Sequence, residues 1–347
     1  MLNFSLLKEL SEVCGVPGRE ERVRQIIIRE IANLTDSWSV DSLGNLVALK
    51  KGKSSEKRVL VAAHTDEIGF MVKQIDDNGF VFFQPLGGFD PKTLVAQRVI
   101  AQGKRDVIGV IACKPIHLMS PKDREKPLDI ADLYIDFGMK GEQVREFLAI
   151  GDPISRERDC IELGNCVCGK SLDNRVSVFV LIEALRAMQT PAFDFYAAFT
   201  VQEEVGLRGA QVVAHTIDPH FSFGLDTTIA FDTPESSFSN KVTELGKGVA
   251  IKLMDSGTIT DYRMVRYLKE VAGRHQILWQ PEILPAGGTD TAALQRYGKH
   301  GSIAGCISIP TRHIHTVVET IHKTDLEASI QLLVRSAEEL DQFNPQW

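Results

Sequence analysis

Two neighbouring carboxylates follow an apolar run near the middle of the chain. In FTVQEEVGLRGA, residues 199–210, Glu203 and Glu204 come directly after FYAAFTV and one glutamine. Adjacent side chains diverge, so one carboxylate can bind a metal ion while the other faces a substrate. A free glutamate beside a metal-activated water is a natural general base. The pair therefore indicates metal-assisted hydrolysis, although it is also compatible with the start of a solvated helix.

Four other segments place potential metal ligands after apolar runs or at a helix start. RVLVAAH ends in His64 and is followed by Asp66, FSFGL precedes Asp226, SIAGCISIP leads to His313 and His315, and GKSLDNR contains Asp173. In an extended chain residues i and i+2 face the same side, so Asp66 can hold the ring of His64. Histidines and carboxylates without a cysteine cluster are typical ligands of hard or borderline divalent metals.

Each of these residues also has a purely structural interpretation. His64 is compatible with a buried core histidine, Asp173 with a helix N-cap, Asp226 with a turn after a strand, and His313 and His315 with the surface. Their joint occurrence at strand ends favours a metal site, because buried carboxylates without cations are unstable. In GGTD, residues 287–290, an anion site at a helix N-terminus and a plain N-cap by Thr289 or Asp290 both remain open.

An alternation of strands and helices must bring these residues together. We predict helices at 5–13, 18–33, 174–188, 207–215, 260–272, 289–297 and 324–341. We predict strands at 58–64, 193–201, 221–226, 247–254, 277–283 and 301–309, and a hairpin through 43–45. This order predicts an α/β fold with a mixed central sheet and helices on both faces, in which ligands bind beyond the carboxyl ends of the strands.

The segment from 68 to 165 has a different sequence pattern from the rest of the chain. Short β-like pieces such as GFVFFQPL and DVIGVIAC follow one another, and only 140–149 looks helical. We therefore predict a catalytic α/β domain formed by 1–67 and 166–347, with a β-barrel-like domain inserted at 68–165.

The composition excludes several classes of partner. The chain has 347 residues and a net charge of −7, which argues against nucleic acid or an anionic membrane as partner. No apolar run is long enough for a membrane span, and the N-terminal segment does not have the pattern of a signal peptide. The six scattered cysteines favour reduced thiols in a cytoplasmic protein, and we expect no zinc at the Cys166 and Cys168 pair.

The motifs in their order resemble the M42 family of metallo-aminopeptidases, which includes glutamyl and deblocking aminopeptidases and the tetrahedral TET peptidases. The resemblance runs nearly from end to end of the chain. It is carried by GVPGREERVR, AAHTDEIGFMV, SLDNRVSVFVLIEAL, FTVQEEVGLRGA, GLDTT, PAGGTDTAAL and IPTRHIHT.

The resemblance implies a dinuclear metal site. It assigns one metal to His64, Asp173 and Asp226, and the other to Asp173, Glu204 and His315. It also implies that Glu203 is the general base, that Asp66 orients His64, and that the Asp173–Asn174 peptide bond is cis. The metals expected are Zn²⁺ or Co²⁺, with Mn²⁺ as a further candidate.

The implied reaction is hydrolysis of the N-terminal residue of a short peptide. A water that bridges the two metals attacks the carbonyl, and Glu203 takes its proton and passes it to the leaving amine. Asp290 is a candidate for holding the substrate α-amine. The resemblance further implies that the inserted domain is a dimerisation domain and that twelve-subunit tetrahedral assemblies are typical, and it leaves open whether this chain stops at a dimer or reaches a dodecamer.

Two rival interpretations remain. The first is a dinuclear amidohydrolase of the M20 type, either a carboxypeptidase or an N-acyl amino acid deacylase, but such chains carry their dimerisation domain after the Glu-Glu pair. The second is an inactive oligomeric scaffold, which should lack a ligand. The chain departs from the usual M42 motifs at Thr316-Val317, at His313 and at 174–177, and none of these changes removes a ligand.

Overall fold

A computed structural model of the chain describes residues 2–234, 236–237, 239–344 and 346. The helices are α1 (Phe4–Glu12), α2 (Glu21–Ile31), α3 (Pro121–Glu125), α4 (Gly141–Phe147), α5 (Leu172–Ala187), α6 (Arg208–Ile217), α7 (Tyr262–Arg274), α8 (Thr291–Arg296) and α9 (Lys323–Glu338). Within the described part of the chain, none of these helices combines the length and the hydrophobicity needed to span a bilayer.

The strands belong to two separate sheets. They are β1 (Ser37–Val40), β2 (Leu46–Lys50), β3 (Ser54–His64), β4 (Gly69–Ile75), β5 (Val81–Leu86), β6 (Arg98–Gln102), β7 (Asp106–Ala112), β8 (Tyr134–Asp136), β9 (Pro153–Arg156), β10 (Ile161–Leu163), β11 (Cys166–Gly169), β12 (Phe193–Thr200), β13 (Phe221–Ile229), β14 (Val249–Met254), β15 (Trp279–Ile283), β16 (Ile303–Arg312) and β17 (Glu319–His322). The main sheet has the order β1-β2-β12-β3-β13-β16-β17-β11-β10, and β14 joins β16 to β15.

The centre of the main sheet is parallel, and this property creates the site edge. β12, β3, β13 and β16 run in the same direction, so their carboxyl ends meet at one edge. His64 is paired with Thr200, and Asp226 is paired with Ser308. The strands on either side, β2 and β17, are antiparallel to their neighbours, which makes the sheet mixed as predicted.

Strand β3 is covered on both faces of the sheet, which explains why its apolar run is continuous. Val59, Val61 and Ala63 belong to the larger core, which also contains residues of α1, α2, α5, α7 and α9. Leu60 and Ala62 belong to a smaller core with residues of α6 and α8. Successive side chains of a strand point to opposite faces, so a strand covered on both faces must be apolar at every position. The prediction of helices on both faces is confirmed.

The segment between β3 and β10 forms a closed barrel in the order β4-β5-β8-β7-β6-β9. Its interior contains apolar side chains from each of several strands, including Phe70, Val99, Ile135 and Ile154. The barrel strands end at Arg156, whereas β10 at 161–163 pairs with β11 in the main sheet. The barrel is therefore shorter than the predicted 68–165 insertion.

The structure differs from the local predictions in one helix and in several short strands, and it contains the predicted hairpin. The expectation of a single helix in the middle segment is wrong, because α3 precedes α4. α3 is short and polar, so it lacks the apolar periodicity that identifies a helix. The strands that were not predicted are β9, β10, β11 and β17, since each has only three or four residues and its sequence shows no clear alternation. The predicted hairpin is formed by β1 and β2.

Candidate metal centre

The end of β3 supplies a histidine and a carboxylate that contact each other. The His64 ring is 2% exposed, and its Nδ1 lies 3.2 Å from the backbone oxygen of Asp66 and 3.4 Å from Asp66 Oδ1. Asp66 is fully buried, and its two carboxylate oxygens accept hydrogen bonds from the backbone N–H groups of Glu203 and Glu204, at 3.0 and 3.1 Å. Asp66 therefore holds two segments of the site, and its contact with the Glu-Glu turn was not foreseen from the sequence.

The turn after β12 directs the two glutamates differently. Gln202 has φ of +56°, a left-handed conformation that few non-glycine residues adopt. Its N–H donates to Glu20 Oε1 at 3.2 Å, and burial raises the pKa of Glu20 to about 7. Glu203 Oε2 lies 3.9 Å from His64 Nε2, whereas Glu204 Oε1 lies 3.4 Å from His315 Nε2. The adjacent carboxylates thus reach two different histidines.

The start of α5 positions Asp173 between the two histidines. The Asp173–Asn174 peptide bond is cis, as the resemblance implied. Asn174 Nδ2 donates to the Leu225 carbonyl at 2.9 Å, which ties this segment to β13. Asp173 Oδ1 lies 3.3 Å from His64 Nε2, and Asp173 Oδ2 lies 3.4 Å from His315 Nε2. One carboxylate therefore faces both histidines, with a different oxygen toward each.

Glu319 is a site residue that sequence reasoning missed. It is 1% exposed, and its carboxylate accepts hydrogen bonds from the backbone N–H groups of Asp173 and His315, both at 2.9 Å. His315 itself has φ of +66°. Glu319 thereby joins the α5 start to the loop after β16. The only sequence signal was an acid four residues after His315, at the edge of an apolar segment.

The candidate ligands form two triads that share Asp173. In the first triad potential ligand atoms of His64, Asp173 and Asp226 lie within 4.8 Å of one another, and in the second those of Asp173, Glu204 and His315 do so. The same limit also joins His64 to Glu203 and Glu204. The two triads have the same members as the two ligand sets that the resemblance implied.

Burial and charge shift the pKa values of the site in different directions. Burial raises the pKa of Glu203 and of Asp226 well above the ordinary value of a carboxyl. Burial also opposes ionisation of Asp173, but contacts with His315 and His64 hold its pKa below the usual range. Although burial lowers the pKa of His315, the Asp173 and Glu204 carboxylates raise it to about 11. Burial therefore disfavours the charged form of Glu203 and Asp226, and it is opposed by His64 at both residues and by Lys252 at Asp226.

These residues fit divalent metal ions. Glu204 Oε1 is buried and has no hydrogen-bond partner among the described residues, although buried carboxylate oxygens are normally paired. Imidazole nitrogens and carboxylate oxygens in groups of three are the donors that Zn²⁺, Co²⁺ and Mn²⁺ accept. The donor set of this chain agrees with the metal site that the resemblance implied.

A cavity of about 630 Å³ opens onto the triads. Its lining includes all the triad residues and Glu203, together with neutral residues from the β13 end and from the loops near 88, 207, 286 and 314. Asp290 is 2% exposed and does not appear in this lining; its Oδ2 accepts from the Thr200 hydroxyl at 2.5 Å. His313 is exposed and also lies outside the cavity lining. The structure thus brings the predicted ligands and Glu203 together around one cavity, whereas Asp290 is buried outside the cavity lining.

Comparison with known proteins identifies the family. Residues 44–332 match the family model described as M42 glutamyl aminopeptidase. The chain belongs to the M42 family. It is 32% identical over 349 residues to the lysyl aminopeptidase of Pyrococcus furiosus, and the match covers 98% of each chain. The protein is therefore an aminopeptidase, a hydrolase of peptide bonds.

Two solved structures extend the similarity of this M42 chain to its whole fold. The TET aminopeptidase of the marine sediment archaeon Thaumarchaeota archaeon SCGC AB-539-E09 has a TM-score of 0.94 and 35% identity, with 98% of each chain covered. The TET1 peptidase of Pyrococcus horikoshii has a TM-score of 0.87 and 32% identity, with 97% of this chain and 99% of that chain covered. The latter is described as assembling into a tetrahedron or a large octahedral shell.

Proposed function

We propose that this M42 protein is a two-metal aminopeptidase that removes N-terminal residues from short peptides. One observation carries the proposal. Asp173 presents its two oxygens to His64 and His315 at 3.3 and 3.4 Å, so one carboxylate belongs to both triads. A shared carboxylate is the arrangement that holds two ions close together, as dinuclear hydrolases require.

The residues that would hold the ions follow from the triads. His64, Asp173 and Asp226 would hold one ion, and Asp173, Glu204 and His315 would hold the other. We expect Zn²⁺ or Co²⁺, with Mn²⁺ also accepted by such donors. When bound, such ions act as Lewis acids toward a carbonyl oxygen and acidify water.

Glu203 is our candidate for the general base. Its carboxylate lines the cavity, while the backbone of its neighbour Glu204 is fixed by Asp66. In the proposed reaction a Glu203 oxygen accepts one proton from the attacking water as the new C–O bond forms. The same oxygen then donates that proton to the leaving nitrogen as the C–N bond breaks. Asp66 acts as a positioning residue, because it holds both the His64 ring and the Glu203–Glu204 backbone.

Recognition of the substrate α-amine by Asp290 stays a prediction. Its Oδ1 has no partner among the described side chains and backbone groups, and burial raises the pKa of the carboxyl to about 6. Contact with an amine would require the Asp290 carboxylate to reach the cavity, whose lining does not include it. Asp290→Asn should then raise KM for free-amine substrates more than it lowers kcat.

A substrate panel tests the proposed function against its rivals. With Zn²⁺ or Co²⁺ added, aminoacyl-anilides should be hydrolysed and N-acyl amino acids should not. Preferential cleavage of N-acyl amino acids would favour a deacylase of the M20 type, and cleavage of neither class by metal-loaded protein would favour an inactive scaffold. The M42 family match and the position of the barrel before Asp173 argue against the M20 rival, whereas the presence of every expected ligand argues against an inactive scaffold.

We also propose that the chain self-associates through the barrel into dimers and then into a tetrahedral dodecamer. The barrel carries exposed apolar side chains, among them Ile108 at 57% and Leu118 at 71% exposure. The similar Pyrococcus horikoshii peptidase assembles into closed shells. Mass photometry should find particles of twelve chains, and Ile108→Glu should shift them toward smaller species.

A cytoplasmic location is proposed from the scattered cysteines alone.

A further inference from the structure

The wall of the cavity beyond the proposed ligands and base carries no charge. Five apolar residues come from separate elements: Leu207 before α6, Ile229 at the end of β13, Leu284 and Ala286 after β15, and Ile314 after β16. The remaining lining residues are glycines and threonines, and none of the described lining residues outside the proposed ligands and base is a lysine, arginine, aspartate or glutamate. A substrate side chain therefore meets neutral groups whichever part of the wall it contacts.

From this wall we infer that the enzyme prefers an uncharged, apolar N-terminal residue such as leucine, isoleucine or methionine. The inference rests on the proposed function, since it concerns the side chain of the residue that is removed. It separates this chain from the glutamyl activity in the family description and from the lysyl activity of its Pyrococcus furiosus relative.

Two cations on strands β14 and β16, near the wall, already have carboxylate partners. Lys252 on β14 is fully buried, and its Nζ lies 2.9 Å from Asp255 Oδ2 and 3.2 Å from Glu282 Oε1. Arg312, at the end of β16, donates to both carboxylate oxygens of Asp232, at 2.6 and 2.7 Å. A glutamyl or aspartyl side chain would thus meet no cation among the described lining residues, so its desolvation would cost energy that no ion pair with the wall offsets.

A basic side chain of the substrate also lacks an ion-pair partner on the cavity wall. The carboxylates that face the cavity are those of the proposed ligands and of Glu203. In the proposed function they bind metal ions or transfer the proton, so they are not available to pair with a substrate cation. A lysyl side chain could extend its ammonium group to solvent, so we expect it to be tolerated better than a glutamyl side chain.

Ile229 is the wall residue that we expect to contact an apolar substrate side chain. It is 42% exposed although it ends a central strand whose other residues are buried, and it lies three residues after Asp226. A large aliphatic side chain exposed inside a cavity is stabilised when a ligand covers it. An apolar substrate side chain would provide that cover.

A substrate series tests the inference directly. With metal-loaded enzyme, kcat/KM for leucyl-anilide should exceed that for glutamyl-anilide and for lysyl-anilide by at least about tenfold, which is the range of pocket-based selectivity. Calorimetric binding of the free products needs no turnover, and leucine should bind several-fold more tightly than glutamate or lysine. Tighter binding of glutamate or lysine would overturn the inference.

Charge variants test whether the named wall sets the preference. Ile229→Lys should raise the ratio of glutamyl to leucyl kcat/KM by about tenfold or more. The matched Ile259→Lys variant should leave it unchanged, because Ile259 is 77% exposed outside the cavity lining. Ala286→Lys, on an exposed part of the wall, provides the same test should Ile229→Lys fail to fold. An unchanged ratio in a folded wall variant would overturn the assignment of the wall.

The outcomes separate this inference from the proposed function. Cleavage led by the glutamyl or lysyl substrate would overturn the inference and leave the aminopeptidase mechanism intact. Failure of metal-loaded enzyme to cleave any aminoacyl-anilide would overturn the proposed function and the inference with it.

Discussion

Two clusters of buried charge lie side by side in this protein, and they are balanced in different ways. The paired cluster consists of Glu67, Lys170, Ser171 and Arg175. The site cluster consists of His64, Asp173, Glu203, Glu204, Asp226 and His315. In the paired cluster Glu67 Oε2 lies 2.7 Å from Lys170 Nζ, and Glu67 Oε1 lies 3.7 Å from Arg175 Nη2. The site cluster has four carboxylates, and the partners in their ion pairs among the described residues are two histidines, His64 and His315.

The pKa values express this difference. Burial alone would raise the pKa of Glu67, but Lys170 and Arg175 lower it below the ordinary value of a glutamate. Burial raises the pKa of Glu203 and Asp226, and no lysine or arginine reverses the effect. A buried charge stabilises a structure only when it is paired. The paired cluster is therefore complete in the protein alone, whereas we propose that cations from solution complete the site cluster.

The largest effect is expected from Glu203→Gln, because it removes the proposed base from the site cluster. The amide cannot accept the water proton, so kcat should fall by about 10²–10⁴-fold. Steady-state hydrolysis of leucyl-anilide measures the change. Metal content, measured by mass spectrometry, should stay as in the wild type because Glu203 is outside both proposed triads. Full activity with both metals bound would show that another group is the base.

Lys170→Met should destabilise the fold rather than the chemistry, because it removes a cation from the paired cluster. Glu67 would keep Arg175, Ser171 and the Gly15 N–H as partners but lose its closest cation, and the free energy of unfolding should fall by about 3–5 kcal/mol. Lys323→Met is a matched control, because it breaks a 2.7 Å ion pair with a half-exposed Glu162 and should cost less than about 1 kcal/mol. Equal effects in urea unfolding would remove the distinction between buried and exposed pairs.

Glu319→Gln should weaken metal binding with little effect on the barrel or the sheet. The amide would offer one acceptor oxygen where the Glu319 carboxylate uses two, so the N–H of Asp173 or of His315 would lose its partner. We expect metal affinity to fall by about 10–100-fold, the usual effect of removing a partner of a ligand segment. The exposed Glu327→Gln on α9 is the control. Equal metal affinity in both variants would contradict the role of Glu319.

Metal uptake should release protons, and the affinity should therefore rise with pH. The pKa of His315 is raised to about 11 in the metal-free protein, so its ring is protonated at neutral pH and must lose a proton to bind an ion. Calorimetry at neutral pH in buffers of different ionisation enthalpy measures the number of protons released. Uptake without proton release would mean that His315 is not a ligand.

The sequence predicted the main features of the site because strand ends carry a strong signal. The continuous apolar run of β3 locates His64 at a sheet edge, and the parallel order of β12 and β13 brings Glu203 and Asp226 to the same edge. Glu319 was missed because its contacts are to backbone N–H groups, which no spacing rule identifies. The contact of Asp66 with the Glu203 N–H depends on the left-handed turn at Gln202. A glutamine gives no sequence signal for that conformation.

The boundary of the barrel and its neutral cavity wall were not predictable for a related reason. β10 is only three residues long, so its pairing with the main sheet depends on β11 rather than on its own sequence. The wall residues come from separate loops and strand ends that meet only in the folded chain. Local patterns predict elements, whereas the composition of a cavity depends on how distant elements meet.

The central claim is that the site cluster is completed by two ions that share Asp173. Mass spectrometric metal analysis of dialysed protein, with the fold checked by circular dichroism, tests it most directly. The wild type should hold two Zn²⁺ or Co²⁺ ions per chain, and folded Asp173→Asn should hold close to none because both triads lose a common ligand. A wild type without bound metal, or an Asp173→Asn variant that keeps two ions, would contradict the account.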